Sequence, residues 1–137
     1  MREILFRGKR VDDNEWVYGY LYIHNGYSGT SALIRGDKIL DTEVDIKTIG
    51  QYTGLTDKNG KKIFEGDICK GNEYSDENEI FVIKYGKYKT SDWKEKYISN
   101  TYQFGWHGEY INSKEQVCLV SPNGIRIIGN IYDKEVK

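Results

Sequence analysis

Apolar residues fall in short runs of about four to eight positions separated by turn residues, and no stretch sustains the period of a long amphipathic helix. Residues 3–7 (EILFR) make a first strand candidate that ends at Gly8. Lys9, Arg10, Asp12, Asp13 and Asn14 then form a solvated turn. Residues 16–23 (WVYGYLYI) alternate, with Trp16, Tyr18, Tyr20 and Tyr22 on one face and Val17, Leu21 and Ile23 on the other, so both faces are expected to be partly covered. Gly19 in the middle predicts a bend or bulge. The turn at 24–29 returns the chain into residues 30–34 (TSALI) as a hairpin, and a further turn at 36–38 leads to the apolar pair Ile39 and Leu40. Residues 41–47 read either as one helical turn, with Thr42 and Asp45 as caps, or as an extended connection.

The densest specification lies at residues 48–71, three apolar runs joined by two turns. Asp57-Lys58-Asn59-Gly60 is a hairpin signal because Asn59 and Gly60 tolerate the positive φ of a tight reversal. Glu65-Gly66-Asp67 is the second reversal: a flexible glycine between short acidic groups that can accept hydrogen bonds from nearby backbone N–H groups. Gly50 and Gly54 suit bulges. The polar loop 71–78 lacks the ordered spacing of a calcium loop. Residues 79–85 (EIFVIKY) are the clearest strand, with Ile80, Val82 and Lys84 on one face and Phe81, Ile83 and Tyr85 on the other. Strand composition resumes at 102–106, 108–111, 116–120 and 126–132. About eight to ten short strands are expected in all, which makes a mainly β fold, a sandwich or a small barrel.

At 137 residues the chain is expected to form one domain, with an insertion around 72–115. Twelve Tyr, three Trp and four Phe suit half-buried sheet faces. Twenty Lys and Arg against 21 Asp and Glu leave a net charge of −1, so any contact with nucleic acid or membrane must come from a local patch. No apolar run approaches the roughly 20 residues of a membrane span. Met1-Arg2-Glu3-Ile4 lacks the apolar core of a secretory signal, and the cytoplasm is the expected location. Cys69 and Cys118 sit inside apolar runs and read as reduced core residues.

Catalytic chemistry finds little to use. There are two histidines, His24 and His107, and neither a G-x-S-x-G, an H-E-x-x-H nor a P-loop occurs. A zinc site would require Cys69, Cys118, His24 and His107 to converge without any supporting spacing, and Glu65 with Asp67 would place two carboxylates on a turn rather than in a pocket. No catalytic, cofactor-binding or metal-binding residue is assigned, and no enzyme is expected. The best local patch for a partner is 84–97, where Lys87, Tyr88, Lys89, Trp93, Lys94, Lys96 and Tyr97 alternate cations with rings; Asp92, Glu95 and the acidic loop before it dilute the charge. A protein partner is the preferred expectation, since Tyr and Trp bury large area at low entropic cost, and nucleic acid is the alternative.

The order of Met1-Arg2-Glu3-Ile4 with Phe6-Arg7, then Ile49-Gly50-Gln51-Tyr52-Thr53-Gly54-Leu55, Asp57-Lys58-Asn59-Gly60-Lys61, Ile63-Phe64-Glu65-Gly66-Asp67-Ile68 and Ile128-Gly129-Asn130-Ile131-Tyr132 resembles the YopX family of small phage and prophage proteins. The resemblance reaches both ends and the centre of the chain. It implies a β-rich fold, a small SH3-like barrel or highly curved antiparallel sheet with additional hairpins. It also implies a bacterial cytoplasmic setting and homo-oligomers, and it brings no catalytic residue or cofactor. Gly50, Gly54, Asn59, Gly60, Glu65, Gly66 and Asp67 are read as its structural motif.

Overall fold

A computed structural model describes residues 3–36, 41–71, 80–89, 102–112, 116–118 and 125–133. The described residues hold eleven strands: β1 (Phe6–Lys9), β2 (Trp16–Gly26), β3 (Gly29–Arg35), β4 (Asp41–Val44), β5 (Gly50–Thr56), β6 (Lys62–Phe64), β7 (Asp67–Lys70), β8 (Ile80–Lys89), β9 (Tyr102–Tyr110), β10 (Gln116–Cys118) and β11 (Arg126–Asn130). Two antiparallel sheets result, ordered β4-β3-β2-β1-β5-β6 and β10-β9-β8-β7-β11. Among the described residues neither sheet closes on itself. The fold is mainly β, as the alternation predicts.

The chain divides into two compact units, residues 1–54 and 55–137, and β5 carries it from one to the other. In the first unit, β1 pairs with β2 in the register Phe6 to Gly19, and β2 with β3 in the register Tyr20 to Arg35. Ala32, Ile34 and Val44 form its core, with Phe6, Val17, Leu21 and Ile49 packed against them. Val17 and Leu21 are odd positions of β2, and the others face them across the ladder, so one face of the sheet takes these apolar side chains, while Ile23 nearer the turn is exposed. The even face is covered at its Trp16 end, where Arg7 is buried beneath the ring, while Tyr18, Tyr20 and Tyr22 remain exposed.

Residues 41–47 resolve as both alternatives in sequence. β4 is extended, and Ile46–Thr48 forms a single 3-10 turn whose cap is Asp45, its carboxylate accepting from the Lys47 N–H at 3.0 Å. Residues 39 and 40 lie outside the described residues.

In the second unit, Ile63, Cys69, Phe81, Ile83 and Ile125 form the core, with Leu55, Trp106, Tyr110 and Ile127 against it. The Cys69 thiol is buried there and forms no disulfide, as its apolar run predicts. Strand β8 runs on to Lys89, past the point where the sequence pattern loosens, because it is paired residue by residue with an unbroken β9 from Phe81–Tyr110 to Lys89–Tyr102. Register shifts between Ile127 and Gly129 in β11, which places a bulge at the Ile128-Gly129 pair.

Gly19 has a different reason from the one its position suggested. A Cβ there would lie 2.1 Å from the Arg35 carbonyl oxygen, so the glycine permits close approach of two backbones. Gly19→Ala is therefore expected to lower stability by about 1–3 kcal/mol, the cost of forcing atoms into an occupied space. A urea midpoint equal to that of the wild type would contradict this packing.

Candidate functional site

The carboxylates of the motif stretch sit in turns, and their surroundings decide what they do. Asp57 is buried at the end of the β5–β6 hairpin. Its Oδ1 accepts from the Asn59 N–H at 2.8 Å and the Lys61 N–H at 2.9 Å, and its Oδ2 accepts from the Ile127 N–H at 3.2 Å. The backbone adds Asp57 N–H to Lys61 C=O at 2.7 Å, Gly60 N–H to Asp57 C=O at 3.0 Å and Lys58 N–H to Ile125 C=O at 2.9 Å. One carboxylate thus closes its own turn and ties it to β11.

Only Gly60, at φ +81°, takes the positive φ expected of the Asn59–Gly60 pair. Asn59 serves through its N–H instead. Burial pushes the Asp57 carboxyl up, but the N–H donors of Lys61, Ile127 and Asn59 and the Lys61 charge outweigh it and hold the carboxyl below its ordinary range.

The Glu65-Gly66-Asp67 turn is built the same way. Gly66 sits at φ +91°, donates its N–H to the Ile83 carbonyl at 2.9 Å and accepts from the Ile131 N–H at 2.9 Å. Asp67, almost wholly buried, accepts from the Phe64 N–H at 2.8 Å. Burial raises the Glu65 carboxyl above its ordinary range. At the end of β11, Asn130 accepts from the Tyr132 N–H at 2.8 Å, and its own N–H donates to Asp133 at 3.0 Å. Gly54, at φ +88°, has the backbone conformation that favours glycine, whereas Gly50 is a buried position of β5 opposite Arg7. Asp57 and Asp67 are occupied by main-chain donors, the arrangement of a fold-determining turn.

The lysine and aromatic patch is only partly brought together. Lys87 is exposed on β8, but Tyr88 is buried and stacks on His107 with ring centroids 4.6 Å apart. Lys89 closes β8, and Trp93, Lys94, Lys96 and Tyr97 lie outside the described residues. Lys84 is held by Glu109 at 2.5 Å. What the sequence pattern missed is the partner strand. Tyr85 meets Trp106 and Phe104 in edge-on contacts with centroids 4.8 and 5.8 Å apart, and Lys87 stands opposite Phe104. The β8–β9 register that joins them is a long-range pairing with no local signature.

A second ring-bearing surface lies in the first unit, on the even face of β2. The alternation there was legible, but a ring-rich strand reads equally as core. At one end of this face, Arg35 donates to Asp41 at 2.8 Å and the Tyr22 hydroxyl donates to the same carboxylate. The Arg35 hydrogen bond, then the Tyr22 one, hold the Asp41 carboxyl below its ordinary range, and hydrogen bonding to Asp41 raises the Tyr22 phenol. At the other end, the Arg7 guanidinium lies 4.5 Å from the centre of the Trp16 ring and the Lys9 ammonium 5.4 Å.

Among the described residues no group of three or more His, Cys, Asp or Glu is placed to hold a metal ion, and no helix is long and apolar enough to cross a membrane. Fold and site together define a small two-sheet antiparallel β protein whose turn carboxylates are engaged by its own backbone. The chain belongs to the YopX protein family, which matches residues 5–135, nearly its whole length. No curated protein matches it.

The three-donor shell around Asp57 makes a specific expectation. An amide at this position can still accept from Asn59 and Lys61, but turns its NH2 toward the Ile127 N–H. Asp57→Asn should cost about 1–3 kcal/mol at neutral pH, read from the urea midpoint. The wild-type carboxyl is depressed on folding, so its contribution is complete above about pH 4 and is lost as pH falls through the lower folded-state value. Asp57→Asn should therefore lose less stability than the wild type across that acid window. Parallel pH profiles would contradict the assignment.

Proposed function

We propose that this protein is a non-enzymatic phage or prophage accessory protein that works in the bacterial cytoplasm by binding a host or phage macromolecule, a protein in the first instance. The observation that carries the reading is the outer end of the β8–β9 hairpin. Phe104 is 73% exposed and Tyr85 54% exposed, with Lys87 beside them and Trp106 packed underneath. Large rings set in water on paired strands cost solvation, and they gain it back when a partner covers them. The SH3-like curl implied by family membership is part of this reading, supported by the β11 bulge and the positive φ of Gly66, both of which bend the strands of the second unit. Self-association through the same rings is included.

Nucleic acid at 84–97 is the second reading, and its specific support is the exposed Lys87 next to two rings. The Lys84–Glu109 ion pair weighs against it by compensating one of the cations.

The test is capture from lysate of a bacterium carrying the phage. The wild type should retain a partner that Tyr85→Ala/Phe104→Ala binds at least about tenfold more weakly, as expected when two central rings are truncated. A partner held equally by both proteins would show that the hairpin end is not the contact surface.

A further inference from the structure

We infer that the first unit carries a separate binding surface, a platform for single-stranded nucleic acid on the even face of β2. It goes beyond the reading above, since it uses a different unit and a defined ligand class. Four rings occupy alternate positions of one strand, Trp16, Tyr18, Tyr20 and Tyr22, so they stand roughly 6.6 Å apart along a single face. Tyr20 is 72% exposed, Tyr18 47% and Tyr22 38%. The core of this unit takes Val17 and Leu21 on the opposite face, which leaves the three tyrosines facing outward.

The charges beside the rings are sorted by side. On β1, Arg7 stands opposite Tyr18 and Lys9 opposite Trp16, with both cations over the Trp16 ring. On the other side of β2, Arg35 on β3 stands opposite Tyr20 but is paired with Asp41 on β4 at 2.8 Å, and Glu43 on β4 stands opposite Leu33. A polyanion is thereby drawn toward β1 and repelled from β4. Bases would lie over the tyrosines and phosphates along Lys9, with Arg7 adding positive potential beneath.

The Asp41 carboxylate fixes the Tyr22 ring through its hydroxyl, so the far end of the row is ordered before a ligand arrives. Stacking on rings needs bases whose faces are free, which a duplex does not offer, and it tolerates any base. The class selected is therefore single-stranded DNA or RNA with little sequence preference.

Fluorescence anisotropy with a labelled single-stranded oligonucleotide of about 15 nucleotides, and with a duplex of the same length, tests this. Single strands should bind at least about tenfold more tightly than duplex, with a shallow log–log salt slope of about −1 because one or two phosphates are engaged. Tyr20→Ala, at an exposed position, should weaken binding about tenfold while leaving the circular dichroism and thermal midpoint unchanged, and Tyr20→Phe should retain it. Lys9→Glu should weaken binding and flatten the salt slope.

Four results would overturn the inference: no binding even at low salt, equal binding of duplex, a Tyr20→Ala protein that binds as the wild type does, or loss of binding in Tyr85→Ala/Phe104→Ala with Tyr20→Ala unaffected. If light scattering shows self-association that Tyr20→Ala abolishes, without any nucleic-acid binding, the face belongs to a second copy and the inference also fails. The fourth result would instead place nucleic acid on the Tyr85–Phe104 surface; the other results do not bear on whether that surface binds a protein.

Discussion

A carboxylate with three main-chain donors holds the second unit in register. Asp57 joins its own hairpin turn to Ile127, a residue 70 positions away, beside the Lys58–Ile125 backbone bond and the β7–β11 ladder. Bringing such distant segments together is entropically costly, and a charge-assisted hydrogen bond within a buried site helps to offset it. Asp67 and Gly66 repeat the device one turn later, fastening β6 to β7 and, through Gly66, the neighbourhoods of Ile83 and Ile131. The acidic residues that would first be searched for chemistry are thus spent on geometry. Asp57, Asn59, Gly60, Gly66 and Asp67 sit together in the sequence because two successive reversals require them there.

The same economy explains where function can reside. Each unit has a small apolar core on one face of its strands, which leaves opposite faces and strand ends to carry rings into solvent. In the second unit, β8 and β9 extend past the core cluster, so the face that begins with buried Phe81 and Ile83 ends with exposed Tyr85 and Phe104. In the first unit, the long β2 does this with Tyr18, Tyr20 and Tyr22 on its even face. Rings held on paired backbone are already ordered, so a partner covering them loses less conformational entropy than it would on a loop.

How much could be read from the chain depends on how local each cause is. The strand content followed from alternation, and the Asp57–Gly60 and Glu65–Asp67 turns from side chains within three residues of one another. Asp45 as a cap was legible for the same reason. The role of Asn59 was misjudged because a donor to a neighbouring carboxylate and a residue at positive φ have the same sequence signature. Gly19 was read as a bend although it serves a contact with Arg35, a partner on another strand. Tyr88 alternates with lysines in the sequence, but pairing with β9 stacks it on His107, while Phe104 and Trp106 enter the patch by that same register. Burial of one face of β2 and exposure of the other cannot be told apart by alternation alone, since either face could have met a second layer.

The central claim, that turn carboxylates hold this fold through main-chain donors, is most directly tested by amide hydrogen exchange under native conditions. The N–H groups of Asn59, Lys61, Phe64 and Ile127 should exchange as slowly as the amides of the paired β7–β8 ladder, opening only when the second unit opens as a whole. Exchange of these four amides at the rate of an exposed loop, while the ladder stays protected, would contradict it.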